Sequence, residues 1–495
     1  MTDSKIQLLV LQPTPYCNID CKYCYLPNRS TKDRMSGATL RKIFADLISS
    51  PRLGQRLDVL WGGGEPLVLP IEYYEEALTI IKENSLPTMV IDHYMQTNGI
   101  LLNDDWCEFF KTAGVKINVS IDGPQKIHDA NRLGRQGEPT FAETMAGIRC
   151  LQHHRIDFTV TSLLGAASLG KAREMHDFYR TEGFDKVCFN IEEIEGPHLN
   201  SSLQGPEQET RFRNFMREFR NLTVGSNPPL YVREFDQMLR AIVDPPAGGI
   251  RNILVEPLAV LSVDWQGQFS TFSPEFLGQS HPRYGDFFIG NVEAGLDAAA
   301  GSERFRRLSA EVGEGVENCR GSCEYFSLCG GGSPVTKLYE NGSIASAETM
   351  SCRLRIKAVG DLALEIAERS VEQERQKKSM PRDRLPGEAD LYIVGTGIAL
   401  PQHLTMETLE ILRACNRVCT NLTDAQLASL PEEIRGKCQS LWPLYRADRS
   451  RLQNYADVQA AVAAAIERER PVAWLTQGHP RIFDSVSESL VKQGH

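Results

Sequence analysis

Three cysteines stand within eight residues of the stretch YCNIDCKYCY: Cys17, Cys21 and Cys24, spaced C-x3-C-x2-C. Spacing this tight suits a metal held by thiolates, but a closed thiolate shell takes four ligands. The nearest histidine is His93, and no paired C-x-x-C knuckle of the structural-zinc kind accompanies the three. A four-iron cluster tolerates the arrangement, because three thiolates leave one iron open to a ligand that is not protein. A second group, Cys319, Cys323, Cys329 and Cys352, is spaced C-x3-C-x5-C-x22-C and has the four thiolates that complete a shell. Zinc and an iron–sulfur cluster both satisfy that set.

The elements that must position these residues are readable from periodicity. The 495 residues exceed one hydrophobic core, so two or three domains are expected. Six β-type runs, at 6–12, 57–62, 88–97, 115–121, 156–164 and 187–193, alternate with amphipathic stretches. Repeated βα units predict a parallel sheet with helices outside it, open or as a partial barrel, whose site lies at the carboxyl ends of the strands. The cysteine loop, GGGEP (62–66), QTNG (96–99) and SIDGP (120–124) follow strands one to four and so share one rim. Ser36 and Thr140 are expected to cap the helices after them. Residues 196–250 read as an excursion rather than another βα unit, and 258–273 as a hairpin around WQG. A charged helix is expected over 355–375, a polar linker over 372–388, and a further α/β pattern to the end.

Composition narrows the function classes. A net charge of −10 and no basic stripe argue against broad nucleic-acid binding. No apolar run reaches ~18 residues and no signal-peptide plan opens the chain, so a cytoplasmic protein with no membrane partner is expected. Thirteen cysteines, an odd number without a secretory signal, do not read as a disulfide framework. Cys107, Cys150, Cys188, Cys415, Cys419 and Cys438 read as small buried hydrophobes.

Cx3CxxC after the first strand, with GGGEP after the second, resembles the radical S-adenosylmethionine (SAM) superfamily. The resemblance implies that Cys17, Cys21 and Cys24 hold a [4Fe–4S] cluster whose open iron chelates SAM. Cleavage of SAM would then give a 5′-deoxyadenosyl radical that abstracts a substrate hydrogen. It further implies that Tyr23 packs near the adenine and that Gly62, Gly63, Gly64 and Glu65 meet the methionyl amino group. Gln96, Asn98, Ser120 and Asp122 would lie among the ribose and carboxylate contacts, and Arg132 would pair with the carboxylate. GSCEYFSLCGGG…C resembles the SPASM/twitch extension, which implies one auxiliary [4Fe–4S] cluster on Cys319, Cys323, Cys329 and Cys352; residues 189–318 hold no cysteine for a second.

The fold so implied is α/β: a partial (β/α)6 TIM-type barrel, a small cysteine-rich α+β domain and a C-terminal α/β fragment. The expected bounds are 1–195 for the barrel, 196–257 for a bridging segment, 258–371 for the auxiliary-cluster domain, 372–388 for the linker and 389–495 for the last domain. Further stretches (VSIDGPQKIHDANR, VDWQGQFSTFSPEFLG, CGGGSPVTKLYENG) resemble maturases of ribosomally made peptides, including cyclophane-forming ones. The implied reaction removes a side-chain hydrogen from a precursor peptide and closes a ring, with an external donor such as flavodoxin or ferredoxin supplying electrons. Glu275, Asp264 and Glu192 are the candidate proton acceptors, with Glu193 beside the last; strand alternation would turn only one of that pair inward. With no domain expected ahead of strand one, leader binding falls to 196–250, the hairpin or the tail. Anaerobic sulfatase maturases, which form formylglycine, are the enzyme alternative; FSPEFLG (272–278) stands where their Cys-Asp base is expected. A zinc-binding regulatory protein is the non-enzyme alternative. LYIVGTGIALPQ and VAWLTQGHPRIFD resemble the N-terminal half of tetrapyrrole-methylase-type enzymes, and methyl transfer by that half alone is not expected.

Overall fold

The computed structural model describes residues 5–224, 229–244, 250–378, 389–396, 400, 404–446, 448–476, 486 and 490. The chain divides into two compact units, 1–371 and 372–495.

The first unit is built on one sheet. Strands β1 (Ile6–Leu11), β2 (Leu53–Trp61), β3 (Val90–Thr97), β4 (Lys116–Ser120), β5 (Phe158–Leu164), β6 (Lys186–Ile191) and β7 (Tyr231–Val232) run side by side in sequence order, every pair parallel. Between them lie α1 (Gly37–Ser49), α2 (Ile71–Glu83), α3 (Asp104–Ala113), α4 (Gln125–Asn131), α5 (Phe141–His153), α6 (Ala172–Thr181) and α7 (Pro206–Val224). The helices present apolar faces at helical spacing. On α6, Ala172, Met175, His176 and Tyr179 fall at i, i+3, i+4 and i+7 and all are buried. Local chemistry sets the helix ends: Asn103 Oδ1 accepts Trp106 N at 3.0 Å to start α3, and Gly114 at φ 66° stops it.

Two expectations change. Residues 196–250 do continue the βα pattern: α7 lays Phe212, Phe215 and Phe219 under β6, Phe219 4.9 Å from Phe189, and leads into β7. A two-residue strand is too short to show a period. The hairpin does not belong to a separate domain either. Its first strand, β8 (Val260–Val263), pairs in parallel with β1, and β9 (Gln268–Thr271) pairs antiparallel with β8. The auxiliary cysteines thus share one compact unit with the main sheet.

Ser36 caps α1, accepting Thr39 N at 3.0 Å. Thr140 does not cap α5. Its hydroxyl donates to Arg132 O at 2.7 Å, and Asp129 Oδ1 takes the Thr140 and Phe141 amides at 3.0 and 2.9 Å instead. The late charged stretch is a π-helical turn, Cys352–Ala358, running into a helix, Val359–Lys378. That helix enters the polar stretch read as linker, whose residues 379–388 lie outside the described ones.

The second unit has a four-stranded parallel sheet in the order Leu391–Gly395, Val472–Thr476, Arg417–Thr420, Cys438–Ser440. Its central strand, Val472–Thr476, is wholly buried, so both faces carry a core. Residues 397–399 and the Gly-x-Pro turn near 478–480 lie outside the described residues. Among the described residues no helix is long and apolar enough to cross a membrane.

Candidate active site

The cysteine loop leaves the carboxyl end of β1 and is tied down on two sides. Asp20 N donates to Leu133 O at 2.7 Å, Lys22 N to Asn131 O at 3.0 Å, and Arg135 Nε to Cys17 O at 2.8 Å. On the other side Glu65 N donates to Tyr16 O at 2.8 Å. The residues from 131 to 135 therefore hold the loop, a role the sequence did not suggest for Arg135. Burial pushes the Cys17 thiol up to about 12, with Glu65 adding to it, and the Cys21 thiol up to about 11. Asn98 Nδ2 and the Arg132 guanidinium each stand 3.9 Å from a thiol, Cys17 and Cys21 respectively. Donors at that range favour charge on sulfur.

The three glycines of GGGEP have different reasons. A Cβ on Gly64 would lie 2.3 Å from Thr14 O and 2.9 Å from Tyr16 O, so this glycine lets β2's turn pack against the cysteine loop. Gly63 has φ +79° and faces the Gln12 side chain. Neither reason applies to Gly62, whose Cβ would meet only Gln96 Cβ at 3.9 Å. Its bare face is a cradle on the rim, as a closely approaching ligand requires. Gly64→Ala is therefore expected to displace the loop, at about 1–3 kcal/mol for the overpacking, and to lower the iron content of the reconstituted protein. Gly62→Ala should keep both fold and iron and weaken SAM binding, read by equilibrium dialysis.

Several expected ligand contacts are occupied within the protein. The buried Glu65 carboxylate accepts from Leu67 N at 3.0 Å, Thr97 Oγ1 at 2.7 Å and Asn98 N at 2.8 Å. It ties the end of β2 to the end of β3, which leaves the motif's backbone, not its carboxylate, for an amino group. Burial raises that carboxyl to about 7, against the pull of these donors. Asp122 is wholly buried between Arg132 Nε at 2.9 Å, Tyr23 Oη at 2.6 Å and Leu163 N at 3.2 Å. It positions Arg132 and Tyr23 and has no face left for a ligand. Arg132, expected to pair with a ligand carboxylate, pairs with Asp122 and stacks 5.5 Å over the Tyr23 ring. The Asn98 side chain holds Asn18 Oδ1 at 2.7 Å. Gln96 and Ser120 are half-buried on neighbouring strands and bonded to each other at 2.7 Å.

The four later cysteines come together. Cys319 lies in the last turn of the helix Glu303–Ser322, Cys323 caps it, Cys329 ends the turn Phe326–Cys329, and Cys352 opens the π-helical turn. All four line one small cavity with Tyr325, Phe326 and Ile356. Gly330, Gly331 and Gly332 all have positive φ, and the chain folds back so that Gly331 N donates to Cys329 Sγ at 3.4 Å.

The candidate acids separate. Asp264 Oδ1 accepts Gln266 N at 2.9 Å and Gln268 N at 2.8 Å, which makes it the turn residue of the β8–β9 hairpin and not a free base. Glu192 is pinned in the loop after β6 by His198 Nε2 at 3.2 Å and Ser202 N at 3.0 Å. Strand alternation does not reach Glu192 and Glu193, because β6 stops at Ile191. Glu193 is not solvated either: it takes Ser351 Oγ at 2.5 Å and Arg355 Nη1 at 3.4 Å. Glu275 stands apart. It is half-buried, its field couples to Glu193 and Arg355, and burial raises its carboxyl to about 7. Glu195, missed in the sequence, is buried with its carboxyl held well above the usual range by burial, Glu193 and Glu275. Tyr25, next to Cys24, feels Glu275, Glu195 and Glu193. Tyr25 and Arg355 both flank cysteines in sequence, the one signal that pointed to them. A carboxylate group therefore lies between the two cysteine sets. Beside it opens a cavity of about 470 Å³ lined by Arg233, Arg251, Cys329, Cys352 and Arg355 among others.

Comparison with known proteins adds lineage to this geometry. The family model described as "Radical SAM superfamily" matches residues 11–175, and "Tetrapyrrole (Corrin/Porphyrin) Methylases" matches residues 390–494. An uncharacterized protein of Synechocystis sp. is 38% identical over 369 residues, covering 74% of this chain and 92% of its own. A serine-type anaerobic sulfatase-maturating enzyme of Bacteroides thetaiotaomicron is 33% identical over 203 residues, covering 39% of this chain and 49% of that enzyme, so the likeness spans about half of it. The solved structure of native anSMEcpe with bound AdoMet has the same fold at TM-score 0.60 and 18% identity, covering 74% of this chain and 100% of that one.

Proposed function

Because residues 11–175 of this chain form a radical SAM domain, we propose that the protein is a peptide maturase that removes a side-chain hydrogen and closes a ring or crosslink on a ribosomally made peptide. The family implies SAM and a [4Fe–4S] cluster, and the residues present fit both: three half-buried thiols on one loop, and a bare Gly62 beside them. Cys17, Cys21 and Cys24 would hold the cluster. Bound together, cluster and SAM supply a carbon radical that takes one hydrogen atom from the substrate.

The protein's own residues do the rest. The Gly62 backbone, Gln96 and Ser120 line the rim where SAM would lie. Asp122 fixes Arg132 and Tyr23 beside Cys21. Cys319, Cys323, Cys329 and Cys352 would hold an auxiliary [4Fe–4S] cluster, whose chemistry is to accept an electron. Ring closure needs that, since one electron and one proton leave after the hydrogen is taken. What supports the reading is the acidic group that joins the two regions: Glu193 holds Ser351 beside Cys352, and Glu275, its carboxyl raised to about 7 by burial, acts on both Glu193 and Tyr25 beside Cys24. Glu275 would take the proton. An external donor such as flavodoxin or ferredoxin would reduce the first cluster.

A second reading, formylglycine formation, is favoured by the sulfatase-maturating relative. The absent Cys-Asp pair does not count against it, because Glu275 supplies a carboxylate near the first cysteine set. The two readings separate by product. With anaerobically reconstituted protein, SAM, reductant and a short peptide encoded beside its gene, the first predicts loss of two hydrogens without an aldehyde. A hydrazide-reactive aldehyde on a Ser or Cys peptide would replace it with the second. Protein whose SAM cleavage yields neither product on either class of peptide would overturn both.

Glu275 acts as a base only when ionised, and its carboxyl loses its proton near pH 7. Product formation should therefore rise with pH through about 7. Glu275→Gln should lower it by about 10²–10⁴-fold and flatten that rise, while deoxyadenosine release persists.

A further inference from the structure

On the outer helical layer, α3 and α5 bring two thiols and an imidazole together. Cys107 Sγ lies 3.4 Å from Cys150 Sγ, and with a ring nitrogen of His154 they form a set whose ligand atoms all lie within 4.8 Å of one another. Cys150 and His154 are four residues apart, on the last turn and cap of α5, so one face presents both. Asp104 sits three residues before Cys107 at the start of α3, and its Oδ1 is 2.8 Å from His154 Nε2 and 3.4 Å from Cys150 Sγ. His154 Nδ1 meets Glu108 Oε1 at 3.1 Å. Lys111 Nζ is 3.3 Å from the same nitrogen, and the two contacts hold the ring with Nε2 toward Asp104; the Glu108 carboxylate stands where an outer-shell partner of a zinc-ligating histidine stands.

We propose that Cys107, Cys150 and His154, completed by Asp104, form a zinc site that staples α3 to α5, separate from the cysteine loop on the sheet's rim and from the four later cysteines. The donor set of two sulfurs, one nitrogen and one oxygen suits Zn²⁺. In a tetrahedron with Zn–S near 2.3 Å, thiolates stand about 3.8 Å apart, so the observed pair need separate by only a few tenths of an ångström. Cys107 is fully buried, whereas Cys150 is half-buried and the Asp104 side chain is 80% exposed. The metal would enter from the solvent side, displacing the two thiol protons. Packing alone explains Cys107 as a small apolar residue. It does not explain an imidazole gathered with two thiols and a carboxylate.

The test uses the full chain with its iron clusters reconstituted, so that the rim cysteines are occupied, then equilibrated with Zn²⁺ and desalted. Metal analysis should find about one zinc per chain. It should fall to background in His154→Gln and in Cys150→Ala, with iron content and SAM cleavage unchanged in both. Zinc should also raise the melting temperature of the wild type and not of the variants. Cys107→Ala is a poorer probe because it leaves a cavity in the core. Wild-type protein without zinc, variants that keep it, or a Cys107–Cys150 disulfide recovered from the anaerobic protein would each overturn the assignment.

Discussion

Cys21→Ala is expected to eliminate SAM cleavage, with deoxyadenosine release falling to the level of protein-free controls. The loop is held by its backbone rather than by its thiols. Asp20 N and Lys22 N donate to Leu133 O and Asn131 O, and Tyr16 O accepts from Glu65 N, whether or not Cys21 carries sulfur. The variant should therefore fold with the wild-type circular dichroism and melting transition. What it loses is one of three thiolates for a cluster that already has one open iron. Its iron should drop by about four per chain while the auxiliary set stays filled. Cys415→Ala changes packing within the second unit's own core, and it should leave cleavage within a factor of two of wild type. If Cys21→Ala retained cleavage at even a tenth of the wild-type rate, the three-thiolate reading of the loop would be wrong.

The rim was legible because it follows from topology. Once six βα units are read from periodicity, the loop after each strand must fall on the same edge, and the cysteines, GGGEP, QTNG and SIDGP do so. What sits on that rim was legible; what each side chain does there was less so. Asp122 and Glu65 have the residue types of ligand contacts. Their carboxylates are consumed by Arg132 and Tyr23, and by Thr97 and Asn98, partners that only the fold brings near. Asp264 has the residue type of a base and is a turn former. Those competing uses of one side chain cannot be separated by sequence spacing.

The acidic group failed to read for a different reason. Period-two alternation applies while the chain is extended, and β6 ends at Ile191. Beyond it the chain turns, sending Glu192 to His198 and Ser202, and Glu193 to Ser351 and Arg355. Glu195 enters the same field across that turn. Likewise β8 was visible as a hairpin strand, but its parallel pairing with β1 is a non-local choice that no local pattern records. It is this pairing that places Glu275, on the turn after β9, in the same compact unit as the cysteine loop.

The largest effect on product, as opposed to SAM cleavage, is expected from Cys352→Ala. Cys352 opens the π-helical turn, with Ser351 before it and Arg355 three residues on, and both neighbours hold Glu193. Truncating the thiol removes one of four ligands from the auxiliary site and leaves those two contacts in place. Iron should again fall by about four per chain, this time with the first cysteine set intact, so SAM is still cleaved. Without an electron acceptor beside the carboxylate group, the substrate radical has no oxidative exit and is quenched by an electron from the external reductant and a proton from solvent, which restores the unmodified peptide while the deoxyadenosine is released. The ratio of modified peptide to deoxyadenosine should therefore collapse from near one toward zero, at a cleavage rate within a few-fold of wild type. A purely structural role for the four thiolates predicts something else: cleavage and product falling together as the unit loosens, at an unchanged ratio. Measuring both products in one anaerobic time course decides between them, and wild-type coupling in Cys352→Ala would remove the electron-accepting role from the site.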